Sequence, residues 1–171
     1  MKNILLIRHG ESEWNKLNLF TGFKNVELSE LGKEEANKAG QNFKKLDLRF
    51  DIVFTSELKR AQDTAKIILE NLEQWNQLNS ENKIIKNINL NERDYGDLTG
   101  LNKKETAEKF GDDQVHKWRR GYSDQPPNGE SLEDVVNRVK IYFYNEIMPA
   151  INKSENNNIL IAAHGNSLRA L

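Results

Sequence analysis

The chain has 171 residues, with 25 Lys and Arg against 26 Asp and Glu, a net charge of −1 and no cysteine. That length suits one domain with a real core, and no Pro/Gly/Ser-rich linker divides it. The charge balance argues against a general nucleic-acid or membrane surface and the missing thiols exclude disulfides, thiolate zinc sites and cysteine nucleophiles; the short apolar stretch after Asn3 cannot serve as a signal peptide or membrane span, so the chain reads as cytoplasmic.

Ile4–Ile7 is an aliphatic run without alternation, which predicts a strand buried on both faces of a parallel sheet. It ends in Arg8-His9-Gly10. Residues 10–25 hold two Gly-containing turns and read as a long loop with one helical turn. Ser29 suits an N-cap, and Leu31, Ala36, Ala39, Phe43 and Leu46 keep helical spacing, so a helix is predicted over 29–46. Asp51–Thr55 is a second buried strand; Ser56-Glu57-Leu58-Lys59-Arg60 opens a helix running through Ala61, Ala65, Ile68, Leu72 and Trp75. Ile84–Leu90 alternates like a peripheral third strand and leads into the polar segment Asn91–Gly96. Two short helices fit 103–110 and 112–120, with Gly111 between them, and 125–129 is an irregular turn. Ser131, with Asp134 three residues on, caps a helix whose buried face is Leu132, Val135, Val139, Tyr142 or Phe143, and Ile147; Pro149 is expected to kink or end it. Ile159–Ala163 is a last buried strand, ending in His164-Gly165-Asn166. This order predicts an α/β fold: three layers, a mainly parallel central sheet and helices on both faces.

The twin His-Gly signatures carry the chemistry. In open parallel sheets ligands bind beyond the carboxyl ends of the strands. With both strands near the sheet's centre, His9 and His164 meet in one crevice beside Arg8. A single histidine there reads as a structural residue; two in matched contexts read as a phosphoryl site. A neutral imidazole pinned at one ring nitrogen aims the other's lone pair at phosphorus. Arg8 and Arg60 both follow strand ends and supply planar forks for phosphoryl oxygens, although Arg60 alone would read as a surface partner of Glu57 or Asp63. Asn15 and Asn166 add neutral donors, and Thr21-Gly22 offers a hydroxyl and open backbone N–H groups. Glu92, in its polar loop, is the candidate proton carrier. Arg93, Lys103, Arg119 and Arg120 form an outer basic group suited to a substrate carboxylate. His9, His116 and His164 show no metal spacing, and His116 reads as ordinary surface.

The stretch Leu6–Asn15 (LIRHGESEWN), Phe20-Thr21-Gly22, Thr55–Ala61 (TSELKRA), Leu90–Gly96 (LNERDYG), Gly100–Lys103 (GLNK), Trp118-Arg119-Arg120 and Ala163–Arg169 (AHGNSLR) together resemble the cofactor-dependent phosphoglycerate mutases of the histidine phosphatase superfamily. The likeness covers nearly the whole chain. It implies that His9 is the phosphorylated nucleophile, Glu92 the proton donor and acceptor, His164 the transition-state stabiliser, and that Arg8 and Arg60 grip the transferred phosphoryl group. It further implies a pocket lined by Arg8, His9, Gly10, Glu11, Ser12, Glu13, Trp14 and Asn15, with Thr21 and Gly22. Arg93, Asp94, Tyr95, Lys103, Arg119, Arg120, Gly165 and Asn166 would complete it. The implied reaction interconverts 2-phosphoglycerate and 3-phosphoglycerate in glycolysis and gluconeogenesis, primed by 2,3-bisphosphoglycerate without a metal. A homodimer is suggested only by this resemblance.

Two departures accompany it. Many members carry an insertion where Pro126–Ser131 joins directly here, which is expected to expose the pocket mouth. Members also continue past the position of Leu171 with a helix, a strand and a tail covering the site, so residues 1–171 are expected to be a single domain lacking those parts. Two rival functions stay open: a histidine-type phosphomonoesterase, and an inactive phospholigand-binding fragment.

Overall fold

Among the described residues, 2–171 of the computed structural model, four parallel strands form one sheet. They are β1 (Asn3–Arg8), β2 (Ile52–Thr55), β3 (Ile84–Lys86) and β4 (Asn158–Ala163), in the spatial order β1-β4-β2-β3. Helices α1 (Glu13–Lys16), α2 (Glu30–Lys45), α3 (Lys59–Asn71) and α4 (Trp75–Ser80) occupy the first half of the chain. The second half holds α5 (Lys103–Phe110), α6 (Asp112–Arg120), α7 (Leu132–Tyr142), α8 (Met148–Asn152) and α9 (Gly165–Ala170).

Two apolar layers sandwich the sheet. On one face Val53, Leu160 and Ala162 pack with Ala65, Ile68 and Leu69 of α3, with Leu72 at its C-cap, and with Phe50 and Leu78. On the other, Phe54, Ile159, Ile161 and Ala163 pack with Leu90, Tyr142, Ile147 and Ala150. The three-layer α/β architecture is as expected. Residues of successive parity along β4 enter opposite layers, which is why its run shows no polar alternation.

β1 departs from expectation. It lies at the sheet's edge, not its centre, and Ile4 and Leu6 are 44% and 51% exposed. Leu5 and Ile7 reach the layer beneath α3, whereas the helices that cover Ile159 and Ile161 leave their register partners Ile4 and Leu6 uncovered. Burial on one face only therefore produces the same aliphatic run as burial on two.

Helix signals fared well where a side chain caps the first turn. Ser29 and Ser131 accept from the amides of Gly32 and Asp134, and Ser131 with Asp134 forms the expected capping box. Residues 84–90 divide into β3 and a 3-10 turn at Ile88–Leu90, because Asn87 uses its side chain to cap that turn. The predicted helix through Trp75 breaks after Asn71, with Glu73 at φ +58°, and resumes as α4. Pro149 does not end its helix: a π-helical turn over Phe143–Ile147 precedes it, and Pro149 falls in the first turn of α8. The wider turn relieves the clash and the lost amide that proline imposes on an α-helix. No helix among the described residues is long and apolar enough to cross a membrane.

Candidate active site

Strand register sets the site. Arg8 pairs with Ala163 across β1 and β4, and the His9 amide donates to the Ala163 carbonyl at 3.0 Å, so His9 and His164 leave adjacent strands at one level. Their ring centroids lie 5.0 Å apart. On the other side of β4, β2 delivers Ser56, whose hydroxyl accepts the Leu58 amide and turns the chain into α3. Arg60 thereby enters the crevice from the first turn of α3.

His9 is 6% exposed, and its Nδ1 sits 2.6 Å from the Gly10 carbonyl. A carbonyl only accepts, so Nδ1 carries the proton and Nε2 keeps its lone pair. Burial, then Arg60, and more weakly Arg8 push His9 down to about 3, against a partial offset from the Gly10 bond. His164 is fully buried; its Nε2 lies 2.7 Å from Ser56 Oγ, and its Nδ1 has no partner. Burial, Arg60 and His9 hold it well below the ordinary histidine range. Both rings are neutral at pH 7.

Arg60 is 1% exposed and donates to the Gly22 and Lys24 carbonyls at 2.9 Å each, rather than to Glu57 or Asp63. Burial lowers it to about 10, so it remains charged. Its two carbonyl bonds tie α3 to the Thr21-Gly22 turn, where Gly22 takes φ +52°. Glu92 faces the histidines from its own loop: Oε1 accepts the Arg93 amide at 2.8 Å and the Asn166 amide at 3.2 Å. Gly165 packs beneath both Glu92 Oε2 and Arg8 Nε; a Cβ there would lie 4.0 and 3.9 Å from them.

The pocket is lined by Arg8, His9, Asn15, Thr21, Gly22, Arg60, Glu92, Tyr95, Lys103, Arg119, Arg120, Gly165, Asn166 and Arg169. Among the described residues that line it, Glu92 is the only acid. Burial lowers Lys103, helped by Arg119 and Arg8, and raises the Tyr95 phenol, helped by Glu92. Thr21 Oγ1 is buried without a partner.

Several residues expected to line the pocket stand elsewhere. The Gly10 amide donates to Thr64 Oγ1, and the Gly10 backbone packs so tightly on Gly32 that a Cβ would come within 2.2 Å of its carbonyl oxygen. Glu11 turns to α2, bonding Ser29 Oγ through its carboxylate, and Ser12 caps α1. Glu13 is exposed in the first turn of α1, and the Trp14 ring lies over Gly100. Arg93 is fully buried and donates to the Glu130 and Asp124 carbonyls at 2.5 and 2.7 Å. Asp94 accepts the Gly96 amide. Cap and turn bonds thus occupy Ser12 and Asp94, and long-range carbonyls hold Arg93, whose Nη1 is buried without a partner. His164 lies behind the lining, against His9. Arg169 was missed; its place three residues after Asn166 on a helix beginning at Gly165 was the available signal.

Residues 4–171 match the family model for the histidine phosphatase superfamily (branch 1). The 2,3-bisphosphoglycerate-dependent phosphoglycerate mutase of Bartonella bacilliformis is 53% identical over 170 residues, covering 99% of this chain and 79% of that protein. That of Parvibaculum lavamentivorans is 55% identical over 172 residues, covering 100% and 79%. Among solved structures, a mycobacterial glucosyl-3-phosphoglycerate phosphatase with VO3 superposes with a TM-score of 0.81 at 24% identity, over 100% of this chain and 78% of its own. The chain therefore belongs to branch 1 of the histidine phosphatase superfamily and, within it, to the 2,3-bisphosphoglycerate-dependent phosphoglycerate mutase family.

Proposed function

We propose that this protein interconverts 2-phosphoglycerate and 3-phosphoglycerate in the cytoplasm, through a phosphohistidine at His9 primed by 2,3-bisphosphoglycerate. The reading rests above all on one observation: the bond from His9 to the Gly10 carbonyl leaves Nε2 unprotonated, with its lone pair free, inside a pocket of five arginines and a lysine with one carboxylate. The names of the relatives at 53% and 55% identity support the substrate.

The residues suit a three-carbon acid bearing two phosphates. Arg8 and Arg60 flank His9, Lys103, Arg119 and Arg120 bring charge from α5 and α6, and the partnerless Thr21 hydroxyl is free for an anion oxygen. When bound, bisphosphoglycerate supplies the phosphoryl group that His9 carries. His9 Nε2 forms the N–P bond as the ester P–O bond breaks, and Glu92 gives its proton to the departing alkoxide oxygen. In the return transfer Glu92 takes the proton of the acceptor hydroxyl while the N–P bond breaks. Arg8 and Arg60 neutralise the phosphoryl oxygens throughout, and the neutral His164 stabilises their charge in the transition state.

The decisive assay is phosphoglycerate isomerisation with and without trace bisphosphoglycerate. Stimulated interconversion is expected. Rapid phosphate release from many esters without that stimulation would overturn the mutase in favour of a phosphomonoesterase, and ligand-dependent stabilisation without any turnover would leave only a binding module.

A further inference from the structure

Glu92 sits in a loop, yet a proton carrier must be held to a fraction of an ångström. The restraint comes from α7. Arg138, which lies outside the pocket lining, spends all five of its N–H donors on this one region. Nη1 donates to the carbonyls of Asn89 at 2.7 Å and Asn91 at 3.1 Å, and Nη2 to that of Glu92 at 2.9 Å. Its remaining donors, on Nε and Nη2, reach the two carboxylate oxygens of Glu130 at 2.8 and 2.9 Å. Glu130 continues the clamp: its Oε2 accepts the Asp94 amide at 2.9 Å, its own amide donates to the Asp94 carbonyl, and its carbonyl accepts Arg93 Nε.

The backbone on both sides of Glu92 is thus gripped by one ion pair, whose side chains are only 16% and 21% exposed. The short connector that ends at Ser131 brings Glu130 to this place. Ser131 then caps α7, which fixes Arg138 two turns along the same helix. His9, Arg8 and Arg60 are set by different elements, the ends of β1 and the start of α3. Losing the clamp should therefore displace the acid and leave the phosphoryl grip intact.

We propose that Arg138, paired with Glu130, is a positioning residue for the Glu92 carboxyl group. The inference rests on the role given to Glu92 above. A lysine cannot replace the fork, because one nitrogen cannot serve three carbonyls and a carboxylate in a plane.

The test is a double-mutant cycle on the full chain, with Arg138→Met and Glu92→Gln measured singly and together in the isomerisation assay. Arg138→Met should lower kcat about 100-fold, the usual consequence of misplacing a group by about 1 Å, with KM changed less than about threefold. In the Glu92→Gln background the same substitution should cost less than about threefold. Glu130→Gln and Arg138→Lys should show the same pattern more mildly, and they carry the test if Arg138→Met fails to fold, as thermal unfolding will tell. Equal losses from the clamp variants in both backgrounds, or a rise in KM with kcat unchanged, would overturn the positioning role while leaving Glu92 as the acid. A Glu92→Gln variant as active as the parent would instead remove the acid assignment itself.

Discussion

The imidazole of His9 is tilted 58° to that of His164 at a centroid distance of 5.0 Å, each ring having left the end of one of two adjacent parallel strands. The two rings are nonetheless held differently. His9 bonds its own neighbour's carbonyl, whereas His164 bonds Ser56, 108 residues away. The first arrangement frees a lone pair toward the pocket; the second buries the ring as a fixture of the wall.

His9→Asn should therefore abolish phosphoenzyme formation. Mass spectrometry after exposure to bisphosphoglycerate is expected to find an acid-labile phosphate on His9 in the parent and none in the variant. A phosphate that persists on the variant at another residue would contradict the assignment of the nucleophile.

The buried histidines also set a pH dependence. Both are neutral when folded, His9 down to about 3 and His164 likewise depressed, while in the unfolded chain each protonates near its ordinary value of about 6.5. Below that value the unfolded state binds more protons, so stability falls as pH drops, by up to about 1.4 kcal/mol per pH unit for each ring. Urea unfolding between about pH 6.5 and 5, above most carboxylate titration, should show this slope, and a His9→Asn/His164→Asn variant should flatten it. An unchanged slope would mean that the rings are not held neutral.

Ser56→Ala removes the hydroxyl shared by His164 Nε2 and the Leu58 amide, both buried. Leaving such groups unpaired costs about 1–3 kcal/mol. Denaturant titration should register that loss, and turnover should fall because the His164 ring is no longer held in place. Full stability in this variant would show that the contact contributes nothing to the fold.

The edge position of β1 gives a paired comparison. Ile161→Ala, at a 1% exposed site in β4, is expected to cost about 2–5 kcal/mol, but Leu6→Ala, at its 51% exposed register partner, less than about 1 kcal/mol. Similar losses at both sites would place β1 inside the sheet after all.

Much of this protein is written in local pattern. Apolar runs mark three of the four strands and alternation over 84–90 marks β3, though with too long a span; Ser29 and Ser131 mark helix starts, and the pocket residues Arg8, His9, Arg60, Lys103 and Asn166 sit in recognisable segments, because strand ends and caps depend on neighbours a few residues away. Tertiary structure alone decided the sheet order, since Ile4 and Leu6 look no different in sequence from Ile159 and Ile161, and strand adjacency is a choice among long-range pairings. It alone turned Arg93 from the pocket toward Glu130 and Asp124, and set Ser56 against His164. The same holds for Arg138, which as a sequence letter is one more polar position on an amphipathic helix. Its five acceptors lie 8 to 49 residues away, and a hydrogen-bond donor cannot announce its partner before the chain has folded back upon it.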